Sequence, residues 1–171
     1  ILMNSFYGVL GASGCRFHDT RLASSITLRG HEIIRRSRER IETLGHQVIY
    51  GDTDSVFVLL GDGVSESDAR QRGIELARDL NTWWHSVIAD EFDLPCHLEI
   101  EFETHFLRFF MPTVRGELTG SKKRYAGLVH GSGGHELVFK GLESVRTDWT
   151  PLASRFQREL YRRVFEGEAC E

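Results

Sequence analysis

Cysteine is scarce and poorly placed for pairing. Cys15, Cys96 and Cys170 are the three present in 171 residues, and no two stand in a Cys-x-x-Cys spacing. That excludes a dense disulfide framework and, with no signal peptide to read, fits a reducing cytoplasm. Long apolar runs are also missing. None approaches the ~20 residues of a membrane-spanning helix. Excess positive charge is absent too: the formal net charge is −4, so any contact with a polyanion must come from a local patch. Repeats and low-complexity stretches do not occur. What is present is 40% hydrophobic residues, enough to build the core of one domain or parts of two. The chain opens at Ile1 among apolar residues without a methionine, and reads as a piece of a longer protein.

Helical periodicity is clear in several places. A short helix is expected to break up near Gly11. Asp19 is placed to cap a second helix over about 20–44, with an apolar stripe through Leu22, Ala23, Ile26, Ile33, Ile34, Ile41 and Leu44 and a stop at Gly45. The arginines from Arg35 to Arg40 fall mostly on its wet face. Ser65-Glu66-Ser67-Asp68 is a capping box for a third helix. Thr150-Pro151 opens a last one, reaching about Glu166. Strands are expected at 46–49 and 56–60, at 98–103 with an extension over 106–111, and at 123–129 and 137–140 around a glycine-rich turn. The fold class that follows is α+β, an antiparallel sheet with helices packed on one face.

Four short segments carry the chemistry. In Tyr50-Gly51-Asp52-Thr53-Asp54-Ser55, two carboxylates stand two apart between apolar runs. Strand alternation would aim Asp52 and Asp54 the same way, and paired carboxylates at a hairpin tip suit a hard cation such as Mg²⁺. A plain polar turn fits equally well. A calcium EF-hand does not, because Phe57 and Gly63 fall where its glycine and closing glutamate belong. The string Asp52 to Val56 also fits the nucleophile loop of haloacid-dehalogenase-type phosphatases, although the parallel βα order of that family is not apparent. In Asn4-Ser5-Phe6-Tyr7-Gly8, Asn4, Tyr7 and Gly8 share a helix face. The tyrosine beside a glycine could stack on a base or pack in a core. Ser121-Lys122-Lys123-Arg124-Tyr125-Ala126-Gly127 offers cations ahead of a strand, either for phosphates or as a solvated loop. Lys140-Gly141-Leu142-Glu143-Ser144-Val145-Arg146-Thr147-Asp148-Trp149 reads, by composition, as an ordered loop.

In this order the four segments resemble the polymerase core of family B DNA polymerases, and the wording between them is most like bacterial members. The resemblance covers essentially the whole chain. It implies a DNA-directed DNA polymerase of replication or repair, working on primer–template DNA and deoxynucleoside triphosphates with two Mg²⁺ ions. It implies that Asp54 touches both ions and that Asp52 lies beside it, nearer the primer end. Glu101 is the candidate third acidic ligand. Asn4, Tyr7 and Gly8 would flank the nascent base pair. Lys122, Lys123, Arg124 and Tyr125 would grip the primer–template, and Lys140 its backbone. It divides the chain into the end of the fingers (1–18), an antiparallel palm (19–148) and the helical start of the thumb (149–171). Other expectations follow from it: a cytoplasmic, nucleoid-associated bacterial protein, with a sliding clamp as a further partner of the parent. The family's first motif, with another metal-bridging aspartate, is expected upstream of Ile1, so the piece alone is expected to be inactive. The competing readings are the phosphatase and a nucleic-acid-binding module without catalysis.

Overall fold

The computed structural model describes residues 2–52, 54–112, 123–131, 133–142, 145–146 and 148–167, with side chains from residue 7 onward. Lys122 lies outside them, and of Asn4 only the backbone is described. The elements are α1 (Leu2–Gly11), α2 (Thr20–Thr43), β1 (Gln47–Asp52), β2 (Ser55–Leu59), α3 (Glu66–Phe92), β3 (Arg108–Phe110), β4 (Tyr125–Gly131), β5 (Gly134–Lys140) and α4 (Pro151–Glu166). The class is α+β with antiparallel strands, as the patterning implies. The strands form two ladders, β1-β2 and β3-β4-β5. Two compact units result: residues 1–64 with 75–100, and residues 65–74 with 101–171.

In the first unit, local chemistry sets the helix ends. Asp19 accepts from the backbone N–H of Arg21 at 2.9 Å and so caps α2, satisfying one of the donors that every helix start leaves open. Gly45, at φ 86°, reverses the chain after α2. The core gathers Ile41 of α2, Val48 of β1 and Leu80 of α3, with Val56, Val58, Leu76 and Ile100 packed around them. Polar locks fix α2 against α3. The indole N–H of Trp84 donates to buried Ser37 Oγ at 2.9 Å. The Arg36 guanidinium lies over both Trp83 and Trp84 and forks onto the Glu91 carboxylate at 2.6 and 2.8 Å. That guanidinium holds the Glu91 carboxyl below its ordinary range.

The expected strand over 98–103 is not a ladder strand; these residues carry no regular secondary structure, and backbone pairing with β4 is seen from Leu107, whose N–H donates to the Leu128 carbonyl at 2.8 Å. Its alternation survives in burial, with Leu98, Ile100 and Phe102 half-buried and Glu99, Glu101 and Glu103 exposed. The reason lies in Asn81. Its side-chain amide donates to the Ile100 carbonyl and accepts from the Ile100 N–H, both at 2.8 Å. One side chain therefore does for Ile100 what a neighbouring strand would do.

The second unit is built on β3-β4-β5. Ser65 Oγ accepts from the Asp68 N–H at 3.1 Å, capping the start of α3 as the sequence suggests. Phe110 and Phe139 meet Tyr161 of α4, with ring centroids 5.5 Å apart in each case. Pairing puts Phe110 and Phe139 on one face of the sheet with Ala126, so α4 covers that face. On the other face Phe106, Phe109 and Tyr125 cluster. Two glycines make room for aromatic rings. A Cβ on Gly127 would lie 2.2 Å from Phe106, and one on Gly73 2.1 Å from Phe102.

Candidate active site and nucleic-acid edge

The paired aspartates stand at the tip of the β1-β2 hairpin. Asp52 pairs with Ser55 as the last rung, so only two positions connect the strands. Asp52 is half-buried and Asp54 exposed, with Ser55 Oγ 3.3 Å from Asp54 Oδ1 and able to donate to it. Asp54 thus belongs to the turn. Strand alternation does not set its direction; the turn does.

The ladder behind the tip is irregular. Val48 faces Val58, but Tyr50 faces Phe57, leaving Ile49 as an extra residue. This β-bulge changes the side on which Asp52 emerges. Unbroken alternation from buried Val48 would carry Tyr50 and Asp52 onto the core side. Instead the core side holds Val48, Val56 and Val58, together with Gly51, where a Cβ would lie 3.5 Å from Ile34 of α2. Tyr50 meets Phe57 on the far side, with tilted rings 5.3 Å apart, and Asp52, paired with Ser55, shares that far side by register. Such a tip offers oxygen donors only, the set that magnesium prefers. Two carboxylates are fewer than the roughly six ligands one such ion takes. Among the described residues, no group of three or more His, Cys, Asp or Glu could hold a metal ion. Glu101 is exposed on the 98–103 segment, where the second unit resumes.

Tyr7 and Gly8 lie on α1 and are exposed, and Asn4 lies on the same helix. The Tyr7 hydroxyl is 2.8 Å from Thr27 Oγ1, and Thr27 Oγ1 donates to the Ala23 carbonyl at 3.0 Å. A threonine has one hydroxyl proton, and the carbonyl takes it. Tyr7 is therefore the donor, and α2 fixes the tilt of its ring. Sequence inspection missed Thr27, since nothing local links positions twenty apart.

The basic segment lies at one end of β4-β5 in the second unit. Tyr125 pairs directly with Lys140, so both side chains leave the same face, opposite the one that α4 covers. Lys123 and Gly141 are both left-handed, with φ 62° each. A Cβ on Gly141 would come 2.0 Å from the Lys123 carbonyl. That close backbone approach requires glycine and joins the two sequence segments into one edge holding Lys123, Arg124, Tyr125 and Lys140. Lys123 and Lys140 are exposed, and Arg124 and Tyr125 half-buried.

An antiparallel hairpin carrying two carboxylates is not the parallel βα loop of an aspartyl-phosphate phosphatase, and that alternative falls. The family model for DNA polymerase family B matches residues 1–171, and the chain belongs to that family. It is 56% identical over 168 residues to DNA polymerase II of Escherichia coli strain K12, covering 98% of the chain and 21% of that protein. It is 35% identical over its whole length to a DNA polymerase of Archaeoglobus fulgidus, of which it covers 18%. It is 31% identical, over 98% of the chain, to a DNA polymerase alpha catalytic subunit of Sterkiella nova, of which it covers 10%. The chain thus spans about a fifth or less of these relatives. Among the described residues no helix is long and apolar enough to cross a membrane.

Proposed function

We propose that this chain is part of the catalytic core of a template-directed DNA polymerase that adds deoxynucleotides to a primer 3′ end. The observation that carries the reading is the exposed, two-residue tip bearing Asp54 beside Asp52, within a chain matched end to end by the family. Two Mg²⁺ ions, when bound, would lower the pKa of the primer hydroxyl and neutralise the charge of the leaving pyrophosphate. Asp54 would bind both and Asp52 would lie toward the primer end, with Glu101 as a further acidic contributor. Asn4, Tyr7 and Gly8 would bear on the nascent base pair, Tyr7 held in place by Thr27. The edge of Lys122, Lys123, Arg124, Tyr125 and Lys140 would hold primer–template phosphates. We assign residues 1–18 to the fingers, 19–148 to the palm and 149–171 to the thumb. A role in replication or repair, a sliding-clamp contact in the full-length protein and a bacterial nucleoid location accord with this reading.

The test is primer extension by the full-length polymerase carrying Asp54→Ala. Synthesis should fall by at least about a thousandfold, as loss of a metal-holding carboxylate removes electrostatic stabilisation of the transition state, while primer–template affinity changes less than about twofold. Equal losses of affinity and synthesis would overturn the metal role. Residues 1–171 alone, with two carboxylates at the tip, should not extend primers.

A further inference from the structure

The irregular rung at Ile49 is unexplained by packing. Ile49 is 43% exposed and lies outside the core group of Ile41, Val48 and Leu80 and the residues packed on it. An isoleucine side chain gains little there, yet the backbone spends a residue on it: six residues of β1 run against five of β2. The ladder is regular on both sides of the break, from Gln47↔Leu59 to Val48↔Val58 and from Tyr50↔Phe57 to Asp52↔Ser55. A bulge bends its strand and raises the local twist. Here it lies three residues before Asp52, and the connection that follows is too short to absorb a change of direction. The rungs Tyr50↔Phe57, Gly51↔Val56 and Asp52↔Ser55 follow the bulge without a further break.

We propose that Ile49 is a positioning residue that acts through its backbone. By adding one residue to β1 it sets the angle at which the hairpin presents Asp52 and Asp54, and its side chain is dispensable. The inference rests on the polymerase reading of the tip. The Tyr50–Phe57 ring contact ties together the first rung beyond the bulge. The regular rungs beyond Ile49 therefore carry its change of direction towards the tip.

The experiment compares three forms of the full-length polymerase: deletion of Ile49, Ile49→Thr and Ile49→Gly. Deletion leaves Val48↔Val58 and Tyr50↔Phe57 as consecutive rungs of a regular ladder, so the hairpin still closes and Asp52 keeps its side. Only the bend is lost. A displacement near 1 Å at a reacting centre costs on the order of a hundredfold in rate. The deletion should therefore lower kcat by about 10- to 100-fold, raise the Mg²⁺ concentration needed for half-maximal rate, and leave primer–template Kd within about twofold. Ile49→Thr and Ile49→Gly keep the residue count and should stay within about threefold of the parent kcat. Three results would overturn the inference: a deletion with normal kcat, substitutions as damaging as the deletion, or primer–template binding lost in step with kcat, which would make the bulge a requirement for folding. Asp54→Ala measured alongside judges the polymerase reading separately, since an Asp54→Ala enzyme that still synthesises at the parent rate would sink that reading and a fully active deletion would sink only the bulge.

Discussion

Asn81 offers the sharpest test of how this chain is held together. Replacing it by leucine keeps the branched skeleton and removes both polar atoms. Two hydrogen bonds vanish, each 2.8 Å long and each to the backbone of Ile100. A hydrogen bond of this kind contributes about 0.5–1.5 kcal/mol net, and a stranded buried backbone group costs about 1–3 kcal/mol more. Ile100 is half-buried, so water partly rescues its freed N–H and C=O, and the lower ends apply. The sum is about 2–3 kcal/mol. Leucine is the better helix former, which offsets a few tenths of a kcal/mol within α3. Asn81→Leu should therefore destabilise the chain by about 2 kcal/mol in urea titrations with an unchanged m-value. The Ile100 amide should exchange with solvent roughly thirtyfold faster, as one decade corresponds to about 1.4 kcal/mol. A loss below about 0.5 kcal/mol with unaltered exchange would refute the claim that a side-chain amide stands in for a strand at this point.

The basic edge predicts a salt signature: Lys140→Ala in the full-length polymerase should reduce the slope of log affinity against log salt by about 0.9 for a phosphate contact to duplex DNA, and an unchanged slope would remove Lys140 from the interface. Thr27→Val, which frees the Tyr7 hydroxyl, should raise the nucleotide KM about fivefold, for a loss near 1 kcal/mol, with little change in kcat; Thr27→Ser should restore it, and a kcat effect alone would contradict the positioning of Tyr7. On α4, the Arg162 guanidinium and then that of Arg163 hold the Glu159 carboxyl down at about 2 from its ordinary 4.5. Its folded value is depressed, so its contribution is complete above 4.5 and lost as pH falls from there through about 2. An NMR titration should find that low midpoint and see it rise in Arg162→Gln; a wild-type midpoint near 4.5 would refute the pairing.

What the sequence disclosed was whatever is decided locally. Asp19, Ser65 and Thr150 cap their helices because a side-chain oxygen needs only an N–H two or three residues on. The hairpin tip was legible for the same reason: the two apolar runs and the turn between them adjoin. Features that depend on a distant partner were not. The residues 98–103 alternate as a strand should, and their burial alternates too, but whether a ladder forms is decided by what lies alongside, and for Ile100 that is an asparagine nineteen positions back. The surplus residue at Ile49 likewise shows only when β1 is counted against β2. The contact of Lys123 with Gly141 joins segments that look unrelated along the sequence.

The glycine notches under Phe102 and Phe106 bear on how a mutational scan of this protein would read. Gly73 and Gly127 would tolerate almost nothing, since even an alanine methyl would fall inside the volume of a ring. In a scan scored by growth alone, they would rank beside the aspartates of the tip and be mistaken for members of the reaction centre. Their intolerance has a different origin. Each marks where the second unit seats an aromatic ring flush against its own backbone, so abundance of folded protein, rather than rate per molecule, is the measurement that tells the two groups apart.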